Sequence, residues 1–398
     1  MFEALHALPA DPILKLMVQC KSDPNPLKVD LGVGVYKDEN GHTPVMAAVR
    51  EAEQKMLSAQ TSKVYIGPAG SELFNHHIAG LLLRYDHPVI KDSRLVSAQT
   101  PGGCGALRVA AELINRSSPS TTLWVSDPTW ANHVPTFKAA GLKTATYPYY
   151  DNTTKTIRFD SMLETLEQAA EGDIVLLHGC CHNPCGADLN HHQWQAVAEL
   201  LLRKNLIPFV DIAYQGLGDG LEEDAYGMRL LASQVPEMII AASCSKNFGL
   251  YRERTGVVMI ISPNADISKI TASNLMNVIR SNYSMPPAHG AAIVETILDD
   301  AALTHLWKQE LGEVCLRIGD MRARLSQQIK ATGCTTDFSF IPQQKGMFSF
   351  LGVTPEKVLQ LRDEYSIYMV DSSRISIAGL SSHNIDYVAK AISSVLKS

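Results

Sequence analysis

The chain has 398 residues, more than one ordinary hydrophobic core accommodates, which predicts two domains. Apolar residues make up 45% of the chain and charged residues 19%, a balance typical of globular proteins in water. The formal net charge is −6 and no segment is rich in lysine or arginine, so nucleic acid is not expected as a partner.

The N-terminal segment, residues 1–17, lacks the basic region and long apolar run of a signal peptide. Nowhere does the chain contain the about 20 consecutive apolar residues that a membrane helix needs. We therefore expect its eight cysteines to be reduced thiols rather than a disulfide framework. These features predict a cytoplasmic protein with no membrane partner.

Residues 1–44 differ in character from the helix-rich centre, because their LGVGVYKD segment (31–38) matches no helical pattern. We expect them to form an N-terminal arm and part of a smaller domain that also contains the C-terminal part of the chain.

The centre, residues 45–310, alternates short apolar runs with helical patterns such as HHQWQAVAELLLRK (191–204). Continuous apolar runs of strand length are typical of strands buried on both faces, as in a parallel sheet covered by helices. The pattern predicts a large α/β domain. The runs are TTLWVSDP (121–128), DIVLLHGC (173–180), LIPFVDIAY (206–214), MIIAASCS (238–245) and GVVMIIS (256–262).

The C-terminal part, residues 311–398, shares with the centre one long amphipathic helix predicted over 302–329. With residues 1–44 it is expected to form the smaller α+β domain. Its predicted elements are strands at FSF (338–340) and within GMFSFLGV (346–353), a helix near 355–365, the segment RISIAGL (374–380) and a closing helix.

Reactive side chains lie at the ends of the predicted strands, where open α/β sheets bind ligands. Lys246 directly follows the run 238–245, and burial there would lower its pKa, as Schiff-base chemistry requires. Taken alone, such a lysine more often reaches solvent. The other polar residues at strand ends are Asp127, Asn183, Asp211, Tyr214 and Arg254.

A glycine-rich turn opens the helical pattern of TPGGCGALRVAAELI (100–114). Free backbone N–H groups and the positive end of a helix would suit an anion there, although such turns are common without one. Arg254 could reach the same anion, or it could be an ordinary surface arginine.

Together these residues satisfy the needs of a pyridoxal cofactor: an amine, a carboxylate for the ring nitrogen, donors for the phenolate oxygen and ligands for the phosphate. In that order the residues are Lys246, Asp211, the pair Asn183 and Tyr214, and the turn 102–105 with Arg254. Trp130 would cover the face of the ring.

The segment HGCCHNPC (178–185) raises the alternative of a zinc site. Its adjacent cysteines would point to opposite faces of a strand, and no second ligand pair follows at a suitable spacing. Buried thiols are the favoured interpretation, and no metal is expected.

Six motifs in chain order resemble those of the fold-type I aminotransferases, and more narrowly the bacterial aspartate and aromatic amino acid aminotransferases. The resemblance runs from DPILKLM near the N-terminus to RISIAGL. It implies an α/β fold with a mainly parallel sheet of the seven-stranded type between helices, plus a smaller α+β domain. The motifs are TPGGCGALR, SDPTWANH, CHNPCGADL, DIAYQG, SCSKNFGLYRERTG and RSNYSMPPAHG.

The resemblance implies pyridoxal 5'-phosphate as the cofactor. Lys246 matches the lysine that carries it as a Schiff base and moves the substrate Cα proton, and Asp211 matches the carboxylate at the ring nitrogen. His133 matches the histidine behind that carboxylate. The residues implied in catalysis are Lys246, Asp211, Tyr214 and Trp130. Those implied in cofactor binding are Tyr65 from the neighbouring subunit, Gly103, Cys104, Trp130, His133, Asn183, Asp211, Tyr214, Ser243, Lys246 and Arg254.

On the substrate side, Arg374 matches the arginine that binds the α-carboxylate, and Gly34 matches a backbone contact to the same group. Arg280 matches the arginine that crosses a homodimer interface to pair with a side-chain carboxylate. Trp130 and Asn183 are implied as further substrate contacts. The resemblance thus implies a homodimer with shared active sites whose partners are amino acids and 2-oxo acids.

Four residues depart from the family pattern. Cys104 and Cys185 stand where hydroxyl residues are usual, while Met285 and Val64 make the neighbourhood of Arg280 and Tyr65 more apolar. A thiol is a weak donor, so cofactor binding is expected to be altered at Cys104.

The favoured function is transamination of aspartate with 2-oxoglutarate, giving oxaloacetate and glutamate. The alternative is an aromatic aminotransferase of dual specificity. A non-catalytic regulatory relative is disfavoured because Lys246 and Asp211 are both present. A decarboxylase or β-lyase of the same fold is disfavoured by Arg280, which suits a substrate that keeps its side-chain carboxylate.

Overall fold

The computed structural model describes residues 1–7 and 12–397; the remaining residues, among them the Asp11 that begins the DPILKLM motif, lie outside the description. Two compact units divide the chain, Pro44–Arg317 and Met1–Thr43 with Ile318–Ser398. Among the described residues, no helix has both the length and the apolar character needed to cross a membrane.

Strands and helices alternate through most of the chain. The strands are β1 (Val29–Asp30), β2 (Leu95–Pro101), β3 (Thr122–Asp127), β4 (Lys143–Pro148), β5 (Tyr150–Asp151), β6 (Thr156–Ile157), β7 (Ile174–His178), β8 (Ile207–Ile212), β9 (Met238–Ser243), β10 (Thr255–Ile261), β11 (Phe348–Phe350), β12 (Ile367–Tyr368) and β13 (Arg374–Ser376). The helices are α1 (Pro12–Ser22), α2 (Ala47–Ala59), α3 (Glu72–Leu83), α4 (Pro88–Lys91), α5 (Gly102–Ser117), α6 (His133–Ala139), α7 (Phe159–Leu166), α8 (His191–Lys204), α9 (Tyr226–Gln234), α10 (Ala265–Asn282), α11 (Ala288–Asp299), α12 (Ala301–Ala331), α13 (Pro355–Tyr365) and α14 (Ile385–Lys397). Short 3-10 turns lie at Phe2–Ala4, Ile341–Gln343 and Ile377–Gly379.

A seven-stranded sheet in the order β2-β10-β9-β8-β7-β3-β4 forms the centre of the Pro44–Arg317 unit. Every pair from β9 to β4 is parallel, and β10 is antiparallel to both of its neighbours. Every residue of β9 and β10 is buried, as continuous apolar runs require. The predicted mainly parallel sheet between helices is therefore confirmed.

Local sequence signals explain where the helices begin and end. The side chain of Asn190 accepts a hydrogen bond from the Gln193 N–H, and Gln193 bonds back to Asn190, so a capping box starts α8. Asn205, in the left-handed conformation, ends it.

Helix α5 packs on the sheet through small residues such as Ala106 and Ala110, which allow the helix to approach β9 and β10 closely.

In the unit Met1–Thr43 with Ile318–Ser398, β1 pairs in parallel with β12, which joins residues from the two ends of the chain. The β11 and β13 strands pair antiparallel, with Phe350 opposite Arg374. Helix α14 buries one face through residues such as Val388, Ile392 and Val395.

The strand predicted at FSF (338–340) is wrong. The side chain of Asp337 accepts hydrogen bonds from the N–H and the hydroxyl of Ser339, at 2.8 and 2.9 Å, and the Ile341 N–H donates to the Phe338 carbonyl. These local bonds fold the segment into a turn that leads to a 3-10 turn instead of a strand.

Candidate active site

The sheet order explains why the predicted residues meet at one edge. Strands β7, β8 and β9 run in parallel, so the residues after them lie at the same carboxyl edge of the sheet. Because β10 runs the opposite way, it begins at that edge, and Arg254 precedes it directly. Four strands therefore bring five of the predicted side chains to one edge: Asn183, Asp211, Tyr214, Lys246 and Arg254.

Lys246 follows β9, and its Nζ atom lies 4.9 Å from the centre of the Tyr214 ring. Burial lowers the pKa of the lysine to about 8; the Asp211 carboxylate opposes the shift and the Arg254 guanidinium adds to it. A lysine with such a pKa is in part a neutral amine near physiological pH. It is thus a competent nucleophile for an aldehyde.

Asp211 lies near the end of β8, and its Oδ2 atom is 2.9 Å from Nε2 of His133. Burial acts to raise the pKa of this carboxyl group. The hydrogen bond and charge of His133, together with Lys246, outweigh burial and hold the pKa below its ordinary value. Asp211 is therefore ionised and can hold a proton on a facing ring nitrogen.

A chain of polar side chains continues behind His133, which is itself fully buried. Its Nδ1 atom lies 2.8 Å from the Thr129 hydroxyl, which is also 3.2 Å from Nε2 of His178. Burial, with the charge of His133, lowers the pKa of His178 to about 3, so this imidazole is neutral. Thr129 and His178 are contacts that sequence reasoning missed: Thr129 was not singled out, and His178 was considered as part of the possible zinc motif HGCCHNPC.

Asn183 and Tyr214 are both buried, and the Asn183 amide donates to the Tyr214 hydroxyl at 3.5 Å. Both groups can also donate to a third oxygen between them, as a phenolate would require. The Trp130 ring meets His133 edge-on, with ring centres 5.3 Å apart. The structure therefore brings together the residues predicted around the ring of the cofactor.

The start of α5 forms a cradle for an anion. Gly102 has a φ of +72°, and a Cβ atom there would lie 2.5 Å from Nη2 of Arg254. A Cβ atom on Gly103 would lie 3.1 Å from Cβ of Ser243. The guanidinium of Arg254 also donates to the Ser245 hydroxyl at 3.4 Å. Ser245 was missed by sequence reasoning, although it directly precedes Lys246.

This donor set fits a phosphate group: it combines N–H groups at the positive end of a helix, two hydroxyls and one guanidinium. With the amine and carboxylate at the same sheet edge, the residues fit pyridoxal phosphate. Cys104 lies in the same turn, and its Sγ atom accepts a hydrogen bond from the Asn132 amide at 3.4 Å. Cys185 instead contacts Nδ1 of His182, at 3.1 Å.

Tyr65 and Arg280 lie on the surface of this unit. Tyr65 is 89% exposed, and its neighbour Val64 is also largely exposed. Arg280 is exposed near the end of α10 and donates to the Ser284 hydroxyl.

The other unit contains Arg374 and Gly34. Arg374 begins β13 and is 6% exposed, and its Nη2 atom donates to the Gly32 carbonyl at 2.7 Å. Its guanidinium carbon lies 4.3 Å from the centre of the Phe348 ring. A Cβ atom on Gly34 would lie 2.7 Å from the Cζ atom of the same ring. Phe348 is a contact that sequence reasoning missed.

Cys180 and Cys181 do not point to opposite faces, and that prediction is wrong. Strand β7 ends at His178, and Cys181 takes a φ of +51°. The two thiols therefore lie with Asp224 in a buried group whose ligand atoms are all within 4.8 Å of one another. The Asp224 carboxylate accepts hydrogen bonds from three backbone N–H groups of its own loop. Both of its oxygen atoms therefore already have hydrogen-bond partners.

The chain is similar to known proteins over nearly its whole length. The family model for aminotransferase class I and II matches residues 26–392. The aspartate aminotransferase of Escherichia coli strain K12 is 46% identical over 396 residues, which cover 100% of both chains. The aromatic-amino-acid aminotransferase of Pseudomonas aeruginosa is 43% identical over 394 residues, 99% of this chain and 98% of that protein. The crystal structure of an aromatic-amino-acid aminotransferase from Burkholderia pseudomallei, covalently bound to pyridoxal phosphate, matches with a TM-score of 0.98. It is 44% identical and covers 100% of this chain and 99% of that one.

Proposed function

The chain belongs to the class I and II aminotransferase family, and from this premise we propose that it transfers the amino group of aspartate to 2-oxoglutarate. The products are oxaloacetate and glutamate. The protein is an aminotransferase, and its cofactor is pyridoxal 5'-phosphate. When bound, the cofactor supplies an electron sink for the charge that develops at the substrate Cα atom. We propose the cytoplasm as its location.

In this proposal Lys246 holds the cofactor and moves the proton at the substrate Cα atom. Its lowered pKa supports both tasks, because the neutral amine is a nucleophile and a base. Asp211 keeps a proton on the ring nitrogen. His133 orients the Asp211 carboxylate through the 2.9 Å contact between Nε2 of His133 and Oδ2 of Asp211. Asn183 and Tyr214 donate to the phenolate oxygen, and Trp130 covers the ring.

The phosphate is assigned to the cradle at the start of α5. Gly103, Cys104, Ser243 and Arg254 are the proposed ligands, and the contact between Arg254 and Ser245 adds a further hydroxyl. A phosphate held in this cradle would anchor the cofactor, and Lys246 would supply the amine for its aldehyde group.

The presence of Arg280 is the observation that supports aspartate as the substrate. A dicarboxylic amino acid needs two cationic sites, and a guanidinium offers a bidentate fork to each carboxylate. Arg374, with the Gly34 backbone, is assigned the α-carboxylate. Arg280, whose guanidinium is exposed and bonded to Ser284, is assigned the side-chain carboxylate.

We further propose a homodimer in which the partner subunit's Tyr65 and Arg280 complete each site. An exposed Tyr65 beside an exposed Val64 is an apolar surface that a second subunit would cover. Tyr65 would then reach the phosphate of the facing subunit.

An aromatic aminotransferase of dual specificity is the second candidate. The apolar Val64 and Met285 favour it, since they lie next to Tyr65 and Arg280 in the chain, and one relative at 43% identity is named for aromatic amino acids. In that case Arg280 would move aside for a ring.

The ratio of kcat/KM for aspartate to that for phenylalanine tests the proposal. We expect the aspartate value to be larger. Arg280→Gln should lower only the aspartate value, by about 30-fold or more, the effect of removing one partner of a charge pair. Lys269→Gln, on the same helix and paired with Asp266, is the matched control and should change neither value. A phenylalanine value equal to or above that for aspartate would establish the second candidate instead.

A further inference from the structure

Arg322 is a buried arginine outside the proposed chemistry, in helix α12 and only 2% exposed. Burying a guanidinium is costly unless its N–H groups are satisfied. Here the donors reach the carbonyls of the loop before β11 and of β11 itself. The accepting carbonyls are those of Ile341, Lys345, Gly346 and Phe348, at 2.6 to 3.1 Å.

The shortest of these bonds, 2.6 Å from Nη2, goes to the carbonyl of Phe348. Phe348 begins β11 and is 3% exposed. Because β11 pairs with β13 so that Phe350 faces Arg374, Phe348 is diagonal to Arg374 across the two strands. Arg322 thus fixes the backbone from which the Phe348 ring projects.

The Phe348 ring touches both groups that the proposed function assigns to the α-carboxylate. The Arg374 guanidinium carbon lies over its face at 4.3 Å, within the range of a cation–π contact. Its Cζ atom leaves no space for a side chain on Gly34. One ring therefore sets the position of the Arg374 fork and of the Gly34 backbone.

We propose that Phe348, held in place by Arg322, is a positioning residue that sets the affinity of the enzyme for the α-carboxylate of its substrates. The inference rests on the proposed role of Arg374. Phe348 touches no reacting atom in this account, so its loss should weaken substrate binding and leave the chemical step intact. Since every amino acid substrate has an α-carboxylate, aspartate and phenylalanine should be affected equally.

The test compares Phe348→Leu with Phe338→Leu in the full-length holoenzyme. Both are buried phenylalanines of the same unit and both are 3% exposed, but the Phe338 ring contacts Phe340, whereas the Phe348 ring lies against Arg374. We expect Phe348→Leu to raise KM about tenfold for both amino acids, the loss of one partly buried cation–π contact, with kcat within about twofold. Phe338→Leu should keep the wild-type KM.

Equilibrium binding of 2-methylaspartate gives a readout independent of turnover, because this compound has no Cα hydrogen to lose. Its dissociation constant should rise about tenfold in Phe348→Leu and stay unchanged in Phe338→Leu. The urea midpoint of each variant separates affinity from stability, since both substitutions remove a similar volume from a core.

A second pair of variants tests the link to Arg322. Arg322→Lys loses the fork that reaches several carbonyls, whereas Arg324→Lys changes a nearby arginine that forms an ion pair with Asp320. If Arg322→Lys folds, its KM for both amino acids should rise, as expected for Phe348→Leu. Arg324→Lys should match the wild type.

An unchanged KM and 2-methylaspartate affinity in Phe348→Leu, with an active wild type, would overturn the inference. An equal rise of KM in Phe338→Leu would also overturn it, because the effect would then follow stability alone. A wild type inactive with both amino acids would instead contradict the proposed function.

Discussion

His133 donates from Nε2 to Oδ2 of Asp211 across 2.9 Å, and the contact keeps a buried carboxylate ionised against the effect of its burial. An ionised carboxylate at this sheet edge is what a protonated cofactor ring requires. The fold buries Asp211, and the contact with His133 preserves the negative charge that the proposed role of Asp211 at the ring nitrogen requires.

Replacing Asp211 by asparagine removes that charge with little change in shape. We expect kcat for transamination to fall by on the order of 10²–10³-fold, the usual effect of losing a preorganised electrostatic contact. Asp224→Asn is the matched control, since Asp224 is also buried but accepts only backbone N–H groups of its own loop in the bonds described above. It should lower the urea midpoint and leave kcat within about twofold. A similar fall of kcat in both variants would refute the assignment.

The pKa of Lys246 predicts how the apoenzyme captures its cofactor. Only the neutral amine attacks an aldehyde, so the rate of reconstitution should rise with pH and level off above the pKa, which burial lowers to about 8. Arg254 contributes to this lowering, so Arg254→Gln should shift the profile to higher pH. Stopped-flow absorbance after mixing apoenzyme with the cofactor measures both profiles. A wild-type rate that still rises through pH 10 would contradict the prediction.

The cradle at the start of α5 can be tested with two glycines. Gly102→Ala and Gly172→Ala both force alanine into a φ above +70°, so each should cost about 1 kcal/mol of stability. Only at Gly102 would the new Cβ atom collide with Arg254; at Gly172 it meets nothing within 4 Å. Equilibrium dialysis should therefore show weaker cofactor binding in Gly102→Ala alone. Equal cofactor affinities in the two variants would argue against the cradle.

Shared active sites predict complementation between two variants that are each impaired toward aspartate. Lys246→Ala lacks the proposed cofactor lysine, and Arg280→Gln lacks the proposed side-chain carboxylate ligand. In a mixed dimer one site would have both defects and the other neither. Co-refolding the two variants should hence restore activity toward aspartate, whereas each variant refolded alone stays low. Absence of recovery, with mixed dimers isolated by two affinity tags, would contradict the composite site.

Five strands of the central sheet, β3, β7, β8, β9 and β10, were predictable because they appear as continuous apolar runs. The edge strands β2 and β4 were not, because they are only partly buried and their sequences contain no such run. The FSF segment (338–340) alternates apolar and polar residues, as a half-buried strand does, but hydrogen bonds to the side chain of Asp337 fold it into a turn. Short apolar runs do not distinguish a strand from a turn whose bonds are local.

Residues of the candidate site with a distinctive chemical type, Lys246 and Asp211 above all, were predictable from their places at or just after the ends of strands. Phe348 and Thr129 were not. Their proposed roles rest on contacts with Arg374 and His133, and a phenylalanine or threonine has no chemical signature in a sequence that would reveal such contacts.

Addition of aspartate alone to the purified holoenzyme tests the central claim most directly. We predict that the absorbance band of the lysine-bound cofactor disappears while stoichiometric oxaloacetate is released, and that 2-oxoglutarate then restores the band and yields glutamate. Lys246→Ala should show neither change. A wild-type enzyme that keeps its band and releases no oxaloacetate would contradict the account.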